Sequence, residues 1–290
     1  MSSGPQIMIL GLALGGVYAL MAIGLSLTYG VMRILNLAHA AFMILGAYLA
    51  YWALQIFHID PLLSIPINGL IFFILGVILY RLLFVPLAGR PRYTEATLLL
   101  SFGLALGVEG LMGAWWTGIY RAANPAYATR SISFGSFYIP EGQLYATAMS
   151  VGMLLALWAF LQNTRIGRAI RATMQNRTAA QIVGVDVERI SALAFGLGMA
   201  SAGISGSILS FLFPFFPGKH WQWISTLLSL VVLGGMGSLI GTVVGAFLLS
   251  VASVYVSSIL GPTWSPVTFY AALFLVMMIR PQGLFGKKEA

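Results

Sequence analysis

Long apolar stretches separated by short polar ones set the pattern of this chain. Runs close to the roughly 20 residues that a membrane crossing needs fall at 7–30, 36–57, 62–83, 94–116, 144–161 and 191–213. A longer run covers 224–260, and a last one covers 266–279. The 224–260 run is too long for one crossing and is interrupted by Gly-Gly-Met-Gly-Ser at 234–238. Consecutive glycines weaken a helix, so the run divides into a short arm, 224–233, and a full span, 239–260. The predicted fold is an all-α integral membrane protein: one polytopic helical bundle over 1–290, with eight or nine membrane segments. An arm of ten residues would cover only about 15 Å. It is therefore short or re-entrant, and its free backbone groups must be covered by protein or line a polar cavity.

One polar stretch departs from this pattern. Residues 162–190 carry Arg165, Arg168, Arg171, Arg177 and Arg189 with Asp186 and Glu188. Ile166, Ala169, Ile170, Thr173 and Met174 recur at helical spacing, and Arg168 and Arg171 fall on the other side. A basic amphipathic helix between two apolar spans belongs against a partner protein or on a membrane surface.

Composition agrees with lipid as the main solvent. Hydrophobic residues make up 59% and charged residues 8%, against roughly 25% charged in soluble domains; the mean hydropathy is +0.93. Without cysteine, disulfide, thiolate-metal and cysteine-nucleophile chemistry are excluded. The first six residues hold no basic cluster, so the first apolar run reads as a retained span. If 163–190 is cytoplasmic and each segment crosses once, twelve Lys and Arg lie inside and three, Arg121, Arg130 and Lys219, outside. That asymmetry follows the positive-inside rule. It puts the N-terminus outside and the C-terminus in the cytoplasm, and it requires the break at 234–238.

Local chemistry marks several boundaries. Asn36 and Thr94 read as N-caps of the second and fourth spans. Trp115, Trp116, Tyr120, Trp221, Trp223 and Trp264 read as an interfacial aromatic belt on the outer side. The outer loop 117–140 contains two short β-prone runs around Gly135-Ser136, a pair suited to a tight hairpin turn. Gly11/Gly15, Gly103/Gly107, Ser201/Ser205 and Gly237/Gly241/Gly245 have the spacing of close helix crossings.

Enzyme signatures are missing. The sequence has no P-loop, no H-E-x-x-H and no G-x-S-x-G, and His39, His58 and His220 lie far apart. Two polar positions stand out. Glu109 lies inside the fourth span, where an ionisable group is costly and often functional. It either takes part in transport or is neutralised, hydrogen-bonded or reaching for the outer surface; no basic partner is evident. Asn36-Leu-Ala-His39 falls at the first break, either on a translocation route or as a simple cap and a backbone-bonded histidine. Tyr18 joins Asn36, His39 and Glu109 as a candidate for lining that route.

The opening block GLALGGVYALMAIGLSLTYGVMRILNLAHAAFMILGAYLA (11–50) resembles the start of LivH-type permeases of branched-chain amino-acid ABC transporters. Those carry G-x-x-x-A-L-x-A-x-G-L-x-x-x-Y-G-V and then N-x-A-H-G, whose last position is Ala40 here. T-R-I-G-R-A-I-R-A-T-M-Q-N (164–176) with A-A-x-x-x-G-V (179–185) is similar to the coupling loop of ABC permeases, with Thr178 in the usual Glu position and no I-x-L-P. V-L-G-G-M-G-S-L-I-G-T-V-V-G (232–245) and R-P-Q-G-L-F-G (280–286) resemble the family as well. The resemblance implies an inner-membrane permease for amino acids, branched-chain or otherwise apolar. It implies pairing with a LivM-type permease, two cytoplasmic ATPases and a periplasmic binding protein. Arg165, Gly167, Arg168, Arg171, Gln175, Ala179, Ala180 and Gly184 would form the ATPase-coupling surface. This chain would hold no cofactor; ATP and Mg would sit in the partner ATPases. The competing class is a self-sufficient secondary transporter or channel that uses Glu109.

Overall fold

The computed structural model describes residues 4–134 and 137–286. The Gly135-Ser136 turn, Lys287 and Lys288 lie outside the described residues. In chain order the helices are α1 (Gly4–Met32), α2 (His39–Phe57), α3 (Pro61–Leu79) and α4 (Tyr93–Trp116). A short antiparallel pair follows, β1 (Ser131–Phe134) and β2 (Phe137–Pro140). Then come α5 (Glu141–Asn163), α6 (Arg165–Gln175), α7 (Arg177–Ile182), α8 (Val187–Leu212), α9 (His220–Gly234), α10 (Leu239–Leu260) and α11 (Ser265–Ile279). Among the described residues eight helical stretches are long and apolar enough to cross a membrane; α9 is the short one.

Polar side chains at several junctions supply the acceptors that helix starts lack. Asp60 accepts from Leu62 N at 2.8 Å, with Pro61 in the first helical position. Thr164 accepts from Gly167 N at 2.9 Å, Asn176 from Ala179 N at 3.0 Å, and Ser238 from Gly241 N at 3.1 Å. The expected caps at Asn36 and Thr94 are not formed. Asn36 lies three residues before α2, where its Oδ1 accepts from Ala38 N at 3.2 Å in a turn of its own. Thr94 lies inside the first turn of α4, and Arg92, with φ 60°, occupies the cap position.

The core is built around α8, buried along almost its whole length. Small residues bring its backbone onto three neighbours: Gly198 against Gly24 of α1, Gly203 and Gly206 against Gly46 of α2, and Gly196 against Phe73 and Val77 of α3. Asn68 Nδ2 donates to Ser207 Oγ at 2.7 Å and to Gly46 O at 3.2 Å, and Ser64 Oγ reaches Ser207 Oγ at 3.1 Å. These buried polar groups are therefore paired with one another. Gly11 and Gly15 face Val251 and Phe247 of α10, and Thr242 donates to Ser26 at 2.9 Å. Among the described residues a β-carbon at Gly103 or Gly107 would meet nothing within 4 Å, so that pair makes no crossing there.

Contacts sort the junctions into two ends. At one, Gly30 meets Met174 and Gly237, and Gly235 meets Gly286. At the other, Gln6 Nε2 donates to Tyr138 O at 2.6 Å and Tyr127 donates to Asp60 at 2.8 Å. Burial, and then the Asp60 carboxylate beside it, pushes the Tyr127 hydroxyl well above its ordinary range.

The short arm is longer than its apolar pattern indicates, because α9 begins at His220. Fifteen residues give about 22 Å and carry the chain from the hairpin end to the Gly237 end, so α9 traverses rather than turning back. Its last carbonyls have a specific cover. Leu284 N donates to Leu233 O at 2.8 Å and Phe285 N to Gly234 O at 3.1 Å. The R-P-Q-G-L-F-G segment is thus the cap of a helix that ends below the surface. Gly283 makes the fold-back possible: its φ is 75° and a β-carbon there would lie 2.5 Å from Gly235 N. Gly283→Ala is expected to cost about 2 kcal/mol from the left-handed backbone alone, seen as a lower thermal midpoint in detergent.

Candidate functional site

The arginine-rich end carries a knob built from α6 and α7. Gly167, Ile170 and Thr173 turn α6 inward. A β-carbon at Gly167 would lie 2.5 Å from Leu161 Cα, so this glycine sets how closely α6 folds under α5. Met174 reaches Gly30 at the end of α1, and Gly30 abuts Gly237 between α9 and α10. Force on α6 therefore has a packed route to two other helix ends.

Of the coupling candidates, Arg165, Arg168, Gln175, Ala179 and Gly184 are exposed. Among the described residues Arg168 donates to Asn163 O across a long 3.4 Å. Arg171 is half-buried and donates to Gln162 Oε1 at 2.5 Å, and Ala180 is buried. Arg171, Gly167 and Ala180 thus hold the knob in place, whereas the others present its surface. Ile166, expected on the inward face, is 42% exposed. At the end of α7 the chain projects Ile182 and Val183, 80% and 76% exposed, and then turns at Gly184, with φ 88°. Two adjoining clefts of about 300 and 430 Å³ flank Tyr80 and Glu188 beside this tip. An exposed apolar tip on a polar, arginine-rich segment is a surface suited to burial against a protein. Ile182 and Val183 have no period in the sequence, and only their place next to a turn-forming glycine marks them.

The route candidates do not form one cluster. Tyr18 is buried among Phe213, Trp223 and Phe269, with ring centroids 6.5, 6.1 and 5.5 Å away. Asn36 is buried, its Nδ2 3.9 Å from Met199 Sδ. His39 is buried and its Nε2 lies 3.1 Å from Met21 O, the backbone-bonded alternative. Glu109 is different. Its Oε2 accepts from His220 Nε2 and Trp221 Nε1, both at 3.1 Å, so the carboxylate has a histidine partner that the sequence, 111 residues apart, conceals. Trp221 and the buried Trp223 serve packing and hydrogen bonding, while Trp115, Tyr120 and Trp264 stand exposed as an aromatic belt would.

Relatives supply the context for this geometry. A family profile described as "Branched-chain amino acid transport system / permease component" matches residues 7–280. The chain is 27% identical to a probable branched-chain amino acid transport permease protein LivH of Methanocaldococcus jannaschii, over 92% of this chain and 88% of that one. It is 28% identical to the high-affinity branched-chain amino acid transport system permease protein LivH of Salmonella typhimurium, over 98% and 96%. It also matches the LivM permease protein of Escherichia coli at 25%, over 92% of this chain and 67% of that one. The fold is shared with PsaBC from Streptococcus pneumoniae in complex with Fab, with TM-score 0.50, 12% identity and coverage of 96% and 92%. A packed bundle of membrane helices with a braced, exposed basic knob, matched from end to end by such relatives, belongs to the family of permease components of branched-chain amino acid transport systems.

Proposed function

We propose that this chain is one of two permease subunits of an importer that moves amino acids, branched-chain or otherwise apolar, across the inner membrane by alternating access. ATP hydrolysis takes place in two cytoplasmic partner subunits, and a periplasmic binding protein delivers the substrate. The observation that carries the reading is the α6–α7 knob: it exposes the Ile182-Val183 tip together with Arg165 and Arg168, and it packs through Met174 onto Gly30 at the end of α1, which in turn abuts Gly237 before α10. A groove on an ATPase covers that tip, and closure of the ATPases drives α6 as a lever. The knob then faces the cytoplasm and the β1–β2 end faces outward, in keeping with the charge asymmetry. A related permease, of the LivM type, forms the second half.

Co-expression tests the reading. The purified chain is expected to bring down two ATP-binding subunits and a second permease, and the reconstituted assembly is expected to accumulate leucine only with ATP and binding protein present. Uptake by the lone chain driven by an ion gradient would refute it. The secondary-transporter alternative finds less support, because the relatives that match the chain along its length are permease proteins of branched-chain amino acid transport systems.

A further inference from the structure

We propose that the second oxygen of Glu109 receives the ammonium group of the amino acid in transit, which rests on the importer reading above. Glu109 lies two turns before the end of α4 at Trp116, about 10 Å along the helix axis. Both N–H donors go to Oε2; among the described residues Oε1 has no partner, yet the side chain is 28% exposed. A carboxylate held this way keeps one oxygen without a donor on a side chain that is partly exposed. Leaving it against hydrocarbon is expensive, so this side of α4 faces water or a polar visitor.

The surroundings suit an apolar amino acid. Phe102 and Leu106, two turns and one turn before Glu109 on the same helix face, are exposed, and Phe102 packs on Trp221 with centroids 5.4 Å apart. Gly218 lies against Oε1: a β-carbon there would be 3.2 Å away, so a side chain at that position would crowd the approach. Gly103, Gly107, Gly110 and Gly113 of α4 meet nothing within 4 Å, which leaves room along the helix. An ammonium on Oε1 leaves an aliphatic side chain on Phe102, Leu106 and the Trp221 ring. A carboxylate selects the cationic end of a zwitterion, and the apolar wall selects the rest.

Two measurements test this in the complete reconstituted transporter. In Glu109→Gln, ATP-dependent leucine uptake is expected to fall about tenfold, the scale of one charge-assisted hydrogen bond, with subunit content unchanged. Wild-type uptake together with unaltered uptake in Glu109→Gln would overturn the inference alone; no ATP-driven uptake by the wild type would overturn the importer reading and the inference with it. Leu106→Cys gives an independent check, since the chain has no other cysteine. A water-soluble thiol reagent is expected to modify it, and leucine with ATP and binding protein to slow the reaction. A residue that reacts only with lipid-soluble reagents would place this face in hydrocarbon and overturn the proposal.

Discussion

Ile182→Glu combined with Val183→Glu is expected to abolish ATP-driven uptake while leaving the permease inserted and folded. Both side chains are mostly exposed, so changing them costs the bundle little. On an ATPase they would be the buried centre of the contact, where truncating an anchor costs about 2–4 kcal/mol, roughly 30-fold or more in affinity. Co-purification of the ATPase subunits should drop accordingly, with the thermal midpoint of the permease unmoved. Arg168→Glu provides the milder comparison: an exposed rim charge mainly alters association rate and salt dependence. Retention of the ATPases by the double variant would show that the tip is not their seat.

What could be read from the sequence follows the range of the physics involved. Apolar runs long enough to cross lipid specify α1–α5, α8 and α10 within a few residues, because burial in a membrane acts on each segment by itself. The glycine break at 234–238 is equally local; Gly235 and Gly237 adopt φ of 99° and 82°. The start of α9 was hidden because His220-Trp-Gln-Trp223 has the composition of an interfacial belt, and only its fit to Glu109 and Tyr18 makes it helix core. The histidine on Glu109 and the cap that 284–285 place on α9 are contacts between distant parts of the chain. No spacing rule reaches them. For the 164–184 segment the helix and its arginines were legible, but which side chains pack inward and which stand exposed was not. Periodicity shows which face is apolar, not which apolar side chains stay uncovered.

Gly206→Val is expected to destabilise the bundle by about 3 kcal/mol, at the upper end of overpacking costs. Small-xxx-small spacing does not single out this position, since many glycines in the chain share it. Its surroundings do. A β-carbon at Gly206 would run into the carbonyl oxygen of Met43 and lie 2.7 Å from Ala47 N and 2.8 Å from Gly46 C. All three are backbone atoms of α2, so no rotamer change relieves the clash; α8 and α2 must separate. Separation also loosens the neighbouring Asn68–Ser207 and Asn68–Gly46 hydrogen bonds, which in a dry interior are costly to leave unmade. Gly152→Ala on α5 is the control, because a β-carbon there would meet no other part of the described chain within 4 Å. There the alanine is expected to add up to about 1 kcal/mol through helix propensity. Thermal unfolding of both variants in detergent should show opposite signs. Equal midpoints would mean that α8 does not depend on its bare backbone contact with α2.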